Sequence, residues 1–179
     1  MGMTDVDVSK LNTTTGIKVG DSDAPVKIIE FINIRCPYCR QWFDEKNDLL
    51  QEYVNAGKIE RIIKLFDKEK PSLAKGNIMH HHIPTDASAM SAIKAIYDTQ
   101  DIWGDLEDHT EIAEYAVNTL GLSLQDNDEM SQAILEEAND ANVFFIPTVI
   151  IGDQVFDQKI SNEELIALLK KYILLEADI

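Results

Sequence analysis

The stretch Glu30 to Arg40, EFINIRCPYCR, holds both cysteines of the chain, at positions 36 and 39, and its surroundings decide the fold. Just before it, VKIIEFIN (26–33) is a β-branched run of strand length, apolar on both faces, as expected of a buried central strand in a mostly parallel sheet. Just after Cys36, Pro37 suits the first turn of a helix. Trp42, Phe43, Leu49, Leu50 and Tyr53 then recur at helical spacing until Gly57 supplies a stop. KIERIIKLF (58–66) reads as a second strand. Strand, helix and strand in that order imply a right-handed crossover. The two cysteines therefore stand where a strand gives way to a helix.

That position has a chemical meaning. Unpaired backbone N–H groups and the positive end of the helix dipole favour a thiolate on Cys36, and Cys39 lies one turn further along on the same face. Thiol pKa values in such motifs fall from about 8.5 to as little as roughly 3.5. Cys36 is thus set up to attack, and the pair can close a disulfide or open it. Two other readings compete: two buried, unpaired thiols filling space, or half of a zinc site. No second C-x-x-C exists, so zinc would need His80, His81 or His82. Pro37 suits a helix better than a metal knuckle, and no metal is expected.

Glu30 stands six residues before Cys36. Strand alternation places it on one face with Val26, Ile28 and Ile32. An unpaired buried carboxylate is costly, so Glu30 is expected to be neutral part of the time, with a raised pKa, and able to take the Cys39 proton. The alternative is a strand end where Glu30 reaches solvent or pairs with Lys27. Ile146-Pro147-Thr148 is the third signal. A proline inside an apolar strand removes a ladder donor, which suggests either an edge position or a cis bond beside a site that presents its backbone to an incoming chain.

Further out, residues 5–23 are polar, with one short possible strand at 16–19 before the turn GDSDAP. After DKEKPSLAKGN the spacing predicts three helices, at about 85–99, 108–120 and 127–142, within a helical insertion at about 68–142 of a single domain spanning 1–179. FFIPTVIIGDQVF (144–156) has the shape of a hairpin broken at Gly152-Asp153. SNEE (161–164) forms a capping box for a last helix with Leu165, Ile166, Leu168, Leu169 and Tyr172 inward. His80 to His82 read as a solvated or partly packed segment at the edge of the insertion. Trp42 and Trp103 read as packing residues, although Trp42 could also line a substrate groove.

Bulk composition sets limits. With 32 acids against 16 bases the formal charge is −16, so the mean surface field repels nucleic acid and anionic lipid. The apolar fraction of 45% fits a packed core, yet no apolar run approaches the ~20 residues of a membrane span. MGMTDVDVSK lacks a basic region followed by an apolar core, so a cytoplasmic protein is expected, with Met3 as a native start after two added residues. A chain trimmed of an export signal would look the same.

Taken together, strand, C-P-Y-C, helix, strand, a helical block, then I-P-T before a strand-strand-helix end resemble the thioredoxin superfamily, and in particular its DsbA-like branch, over about 24–172. The resemblance implies an α/β thioredoxin-like fold (β-α-β … β-β-α) with an inserted helical subdomain. It makes Cys36 the exposed nucleophile, Cys39 the resolving thiol, Glu30 the buried acid and Pro147 a cis-proline flanking the site. Ile146, Pro37 and Tyr38 would join Pro147 against the substrate. No cofactor is implied. The implied partners are protein or small thiol and disulfide substrates and a thioredoxin-type or glutathione-type redox system. Many oxidising members carry His where this chain has Tyr38, and CPYC is similar to the glutaredoxin site. A less oxidising pair is therefore expected, nearer ~−200 mV than ~−120 mV, more suited to reduction or isomerisation. The rivals are a glutathione-dependent enzyme and a non-catalytic polypeptide-binding module. The former would resemble either glutaredoxins or the kappa-type transferases and 2-hydroxychromene-2-carboxylate isomerases; those transferase relatives mostly keep Ser where Cys36 stands.

Overall fold

In the computed structural model, which describes residues 3–177, a polar N-terminal segment leads into β1 (Ile17–Gly20) and β2 (Val26–Ile32). Then come α1 (Pro37–Asn55), β3 (Ile59–Leu65), α2 (Ala74–His80), α3 (Ala89–Asp98) and the short α4 (Gln100–Trp103). α5 (His109–Glu114) runs on into a π-helical turn (Tyr115–Thr119), and α6 (Asp128–Asp140), β4 (Thr148–Ile151), β5 (Gln154–Phe156) and α7 (Asn162–Ala177) complete the chain. The expectation that two added residues precede a native start falls on Met1 and Gly2, outside the described residues.

The five strands form one sheet in the order β1-β3-β2-β4-β5. β2 and β3 pair in parallel, joined by the α1 crossover, whereas β1 joins β3, β4 joins β2 and β5 joins β4 in antiparallel fashion. The sheet is therefore mixed, not mostly parallel as expected. A continuous apolar run marks a strand buried on both faces but carries no information on the direction of its neighbours.

Burial on both faces is what β2 shows. Val26 and Ile28 pack with Trp42 and Leu50 of α1 and Leu165 and Leu169 of α7. Ile29 and Phe31 point the other way, against Ile134 and Ala138 of α6. At the C-terminal end of β2 and β3, Ile32, Ile63 and Leu65 join both cysteines and the helices from α2 to α5 in a third cluster. The helical block thus caps the end of the sheet where the cysteine motif begins. The capping box is made as expected, with Glu164 N–H donating to Ser161 Oγ at 3.1 Å and Ser161 N–H to the Glu164 carboxylate at 3.3 Å.

Two boundaries differ from the sequence reading. β4 starts at Thr148, not Phe144, because the chain enters it through the Ile146–Pro147 bond. α2 was not anticipated, since AKGNIMH holds Gly and Asn, which weaken a helix. The structure explains the glycine: a Cβ on Gly76 would collide with Asn33 Oδ1 and with Arg35 N. Gly76 lets α2 press directly on the loop that carries Cys36.

Candidate active site

The loop from Asn33 to Cys36 is fixed on all sides. Asn33 Oδ1 accepts from Arg35 N–H at 2.9 Å, while its Nδ2 donates to Phe66 O at 3.0 Å and Asn77 Oδ1 at 2.8 Å. The Ile34 N–H donates to His80 Nε2 at 3.1 Å, and Ile34 O accepts from Gln100 Nε2 at 2.6 Å. Cys36 N–H closes the turn on Asn33 O at 3.1 Å. α2 and α4 therefore supply the partners that this irregular, buried backbone needs.

Cys36 is the N-cap of α1, with Pro37 in its first turn. Both cysteines are free thiols. Cys39 is fully buried and accepts from Asn33 N–H at 3.4 Å. Cys36 is also more enclosed than expected, at 7% exposure, and its opening is a cleft of about 500 Å³ lined by Pro37, Tyr38, Phe145 and Ile146 among others. Its sulfur lies 3.8 Å from Ile146 O, and the bond from Ile146 to Pro147 is cis. The structure thus brings Cys36, Cys39, Pro37, Tyr38, Ile146 and Pro147 to one place, with Tyr38 and Phe145 more than half exposed on its rim.

The two sulfurs differ electrostatically. Hydrogen bonding from the Cys39 thiol, opposed by burial, brings Cys36 down to about 6; backbone N–H groups of Cys39 and Tyr38 and the charge of Lys70 add to the fall. Burial pushes Cys39 well up, and its bond to Cys36 and the negative charge there push it further. One sulfur is a thiolate at neutral pH while its neighbour keeps its proton.

Glu30 is buried, but not as expected. Its carboxylate accepts from Arg61 Nε and Nη2 and from Trp42 Nε1, each at 2.8 Å. Its partner Arg61 lies on a different strand, out of reach of a local pattern, and Lys27 pairs with Glu60 instead. The expectation of an unpaired buried carboxylate therefore does not hold.

The histidine segment is also corrected. His80 and His82 are buried, and His80 Nδ1 and His81 Nε2 bond the two oxygens of Asp67 at 2.6 and 2.7 Å. His80 supports the Cys36 loop, a role visible in sequence only if α2 is placed correctly. Trp42 is buried and holds Glu30, so it does not line the cleft, while the buried Trp103 donates to Ile96 O and carries the Arg35 guanidinium 6.0 Å above its ring. A depression of about 750 Å³ along β5 and α7 contains neither cysteine. Among the described residues, no group of three or more His, Cys, Asp or Glu is arranged to hold a metal ion, and no helix is long and apolar enough to cross a membrane.

A mixed sheet flanked by α1, α7 and α6, with C-x-x-C opening a helix opposite a cis-proline, defines a thioredoxin-like protein. The chain belongs to the thioredoxin family, whose model matches residues 12–171. It is similar to a conserved protein of unknown function from Enterococcus faecalis V583, at 49% identity and a TM-score of 0.92, covering 95% of this chain and 98% of that one. Its fold is shared with α-DsbA1 of Wolbachia pipientis, at 16% identity and a TM-score of 0.68, over 93% and 95% of the two chains. A probable disulfide bond formation protein D of Bacillus cereus is 40% identical over 48 residues, which span 26% of this chain and only 22% of that relative.

Proposed function

We propose that this chain is a thiol–disulfide oxidoreductase in which Cys36 attacks and Cys39 resolves. One arrangement carries the reading: at the wall of the cleft Cys36 caps α1, 3.8 Å from Ile146 O and one turn from the fully buried Cys39, so that its thiol is drawn down to about 6 while burial pushes Cys39 well up. The Cys36 thiolate attacks one sulfur of a substrate disulfide, forming a mixed disulfide and releasing a thiolate. Cys39 then gives up its proton and attacks Cys36 Sγ, releasing the second substrate thiolate and leaving the Cys36–Cys39 disulfide. Two electrons pass from the cysteine pair to the substrate, and a thioredoxin-type or glutathione-type system restores them.

The same steps run backwards insert disulfides. An ionisation near pH 6 lies closer to the ~7 of thioredoxin than to the ~3.5 of DsbA, which supports reduction or isomerisation over strong oxidation. Such a pair suits a reducing compartment such as the cytoplasm. Ile146 and Pro147 present backbone beside Cys36, and exposed Tyr38 and Phe145 offer apolar contact for an extended substrate. Glu30, held by Arg61, acts as a fixed ion pair under the sheet end and not as a proton acceptor. The test is dithiol-dependent insulin reduction: Cys36→Ala is expected to abolish it, and activity that survives this change rejects the assignment.

A further inference from the structure

The cleft at Cys36 is lined by Arg35, Lys68 and Lys70, with Asp101 as its one carboxylate. That is a net positive wall on a chain of formal charge −16. Among the described residues, none of the three bases forms an ion pair, although acids outnumber bases 32 to 16. Asp101 faces Arg40 at 3.6 Å, and in the adjoining depression Asp157 is matched by Lys159 at 2.9 Å. Arg35 is anchored over Trp103 and Lys68 donates to Phe144 O, so their charges are held in place. The exposed Lys70 ammonium has no hydrogen-bond partner among the described residues.

Unmatched cations beside a nucleophile in an acidic protein focus anions there. The thiolate itself is one such anion, but a single sulfur does not occupy three cations spread around a cleft of this size. We infer that the site selects disulfides whose sulfurs are flanked by carboxylates, with Lys70 as the specificity-determining contact. This rests on the exchange reading above. The chemistry is the same exchange: Cys36 joins one substrate sulfur, whose neighbouring carboxylate the cations hold, and the other sulfur leaves as a thiolate.

The experiment follows single-turnover oxidation of the reduced protein by three disulfides: 3,3′-dithiodipropionate (anionic), bis(2-hydroxyethyl) disulfide (neutral) and cystamine (cationic). Lys70→Glu is expected to lower the ratio of anionic to cationic rate by about threefold or more. In the unaltered protein, raising salt from about 0.01 M to about 1 M should lower the same ratio, because the Debye length shrinks from about 30 to 3 Å. A change in thiolate population scales all three rates together, so a common fall with an unchanged ratio, or a ratio indifferent to salt, overturns the inference and leaves the exchange reading standing. Absence of reaction with all three overturns both. An acidic cystine peptide that outpaces dithiodipropionate assigns the preference to polypeptides and the reverse order to small molecules; either supports it.

Discussion

Glu30 on β2 and Arg61 on β3 lock together inside the molecule through two hydrogen bonds of 2.8 Å, with both side chains 2% exposed. Arg61 stands opposite Ile28 in the parallel register, so it shares a face with Glu30 two residues on. Removing one partner strands the other charge in the core. Arg61→Met should therefore cost about 3–5 kcal/mol, whereas Glu30→Gln with Arg61→Met should cost clearly less than the sum of the two single changes. Urea denaturation of the four proteins gives the coupling, and additive losses would contradict a paired carboxylate.

Cys36 supplies a pH prediction. Its alkylation by iodoacetamide in the reduced protein should follow a single titration centred near pH 6, with Cys39 unreactive until far higher pH. The linkage has a definite sign. A thiol whose folded pKa lies below its unfolded value of 9.0 adds stability that is fully present above 9.0 and is lost as pH falls through about 6. The melting temperature of the reduced protein should thus rise from pH 6 towards 9 relative to Cys36→Ser. Parallel curves would show that nothing in the fold favours the thiolate.

Much of this arrangement could be read in the sequence, and the part that could not has a common cause. Glycine and proline punctuation and the apolar runs located β2, α1, β3, the β4–β5 turn and the capping box at Ser161, because those signals act within a few residues. The cysteine pair and Pro147 were legible for the same reason: each breaks a local pattern. Glu30 was recognised as buried, but its partner Arg61 is 31 residues away and depends on strand register. His80 was missed as a support because α2 is stabilised by packing, through Gly76, on the very loop that it holds. Helix propensity alone does not report such contacts.

His80 should prove essential to that loop. Its Nε2 accepts from Ile34 N–H, so Nδ1 carries the proton and donates to Asp67, which makes the ring neutral. Burial lowers its pKa, with Asp67 opposing. His80→Leu leaves the Ile34 N–H without a partner and should cost about 1–3 kcal/mol. A histidine with a lowered folded pKa adds stability that is present above 6.5 and lost as pH falls below it. Stability profiles from pH 7.5 to 4.5 should therefore fall less steeply for His80→Leu. His81, raised by its hydrogen bond to Asp67, has the opposite sign, adding stability below 6.5 that is lost as pH rises through its folded value, and it remains in both proteins.

Tyr97 offers a change in the stabilising direction. Its ring packs against Phe43, tilted by 37° with centroids 5.1 Å apart, in the same apolar cluster as Cys36 and Cys39, and it is almost fully buried. Its hydroxyl has no hydrogen-bond partner among the described residues. Burial first, and then the charges of Cys39 and Cys36, push its ionisation well up, so it remains a protonated donor lacking an acceptor. An unsatisfied buried polar group costs about 1–3 kcal/mol, while the ring packing depends only on the aromatic carbons. Tyr97→Phe keeps that packing and removes the orphan, so urea denaturation of the reduced protein should show a gain of about 1 kcal/mol or more. A loss would mean that the hydroxyl is satisfied in solution. Because the substitution leaves both sulfurs and the Asn33–Cys36 loop in place, the alkylation midpoint of Cys36 should stay near pH 6 in the same variant.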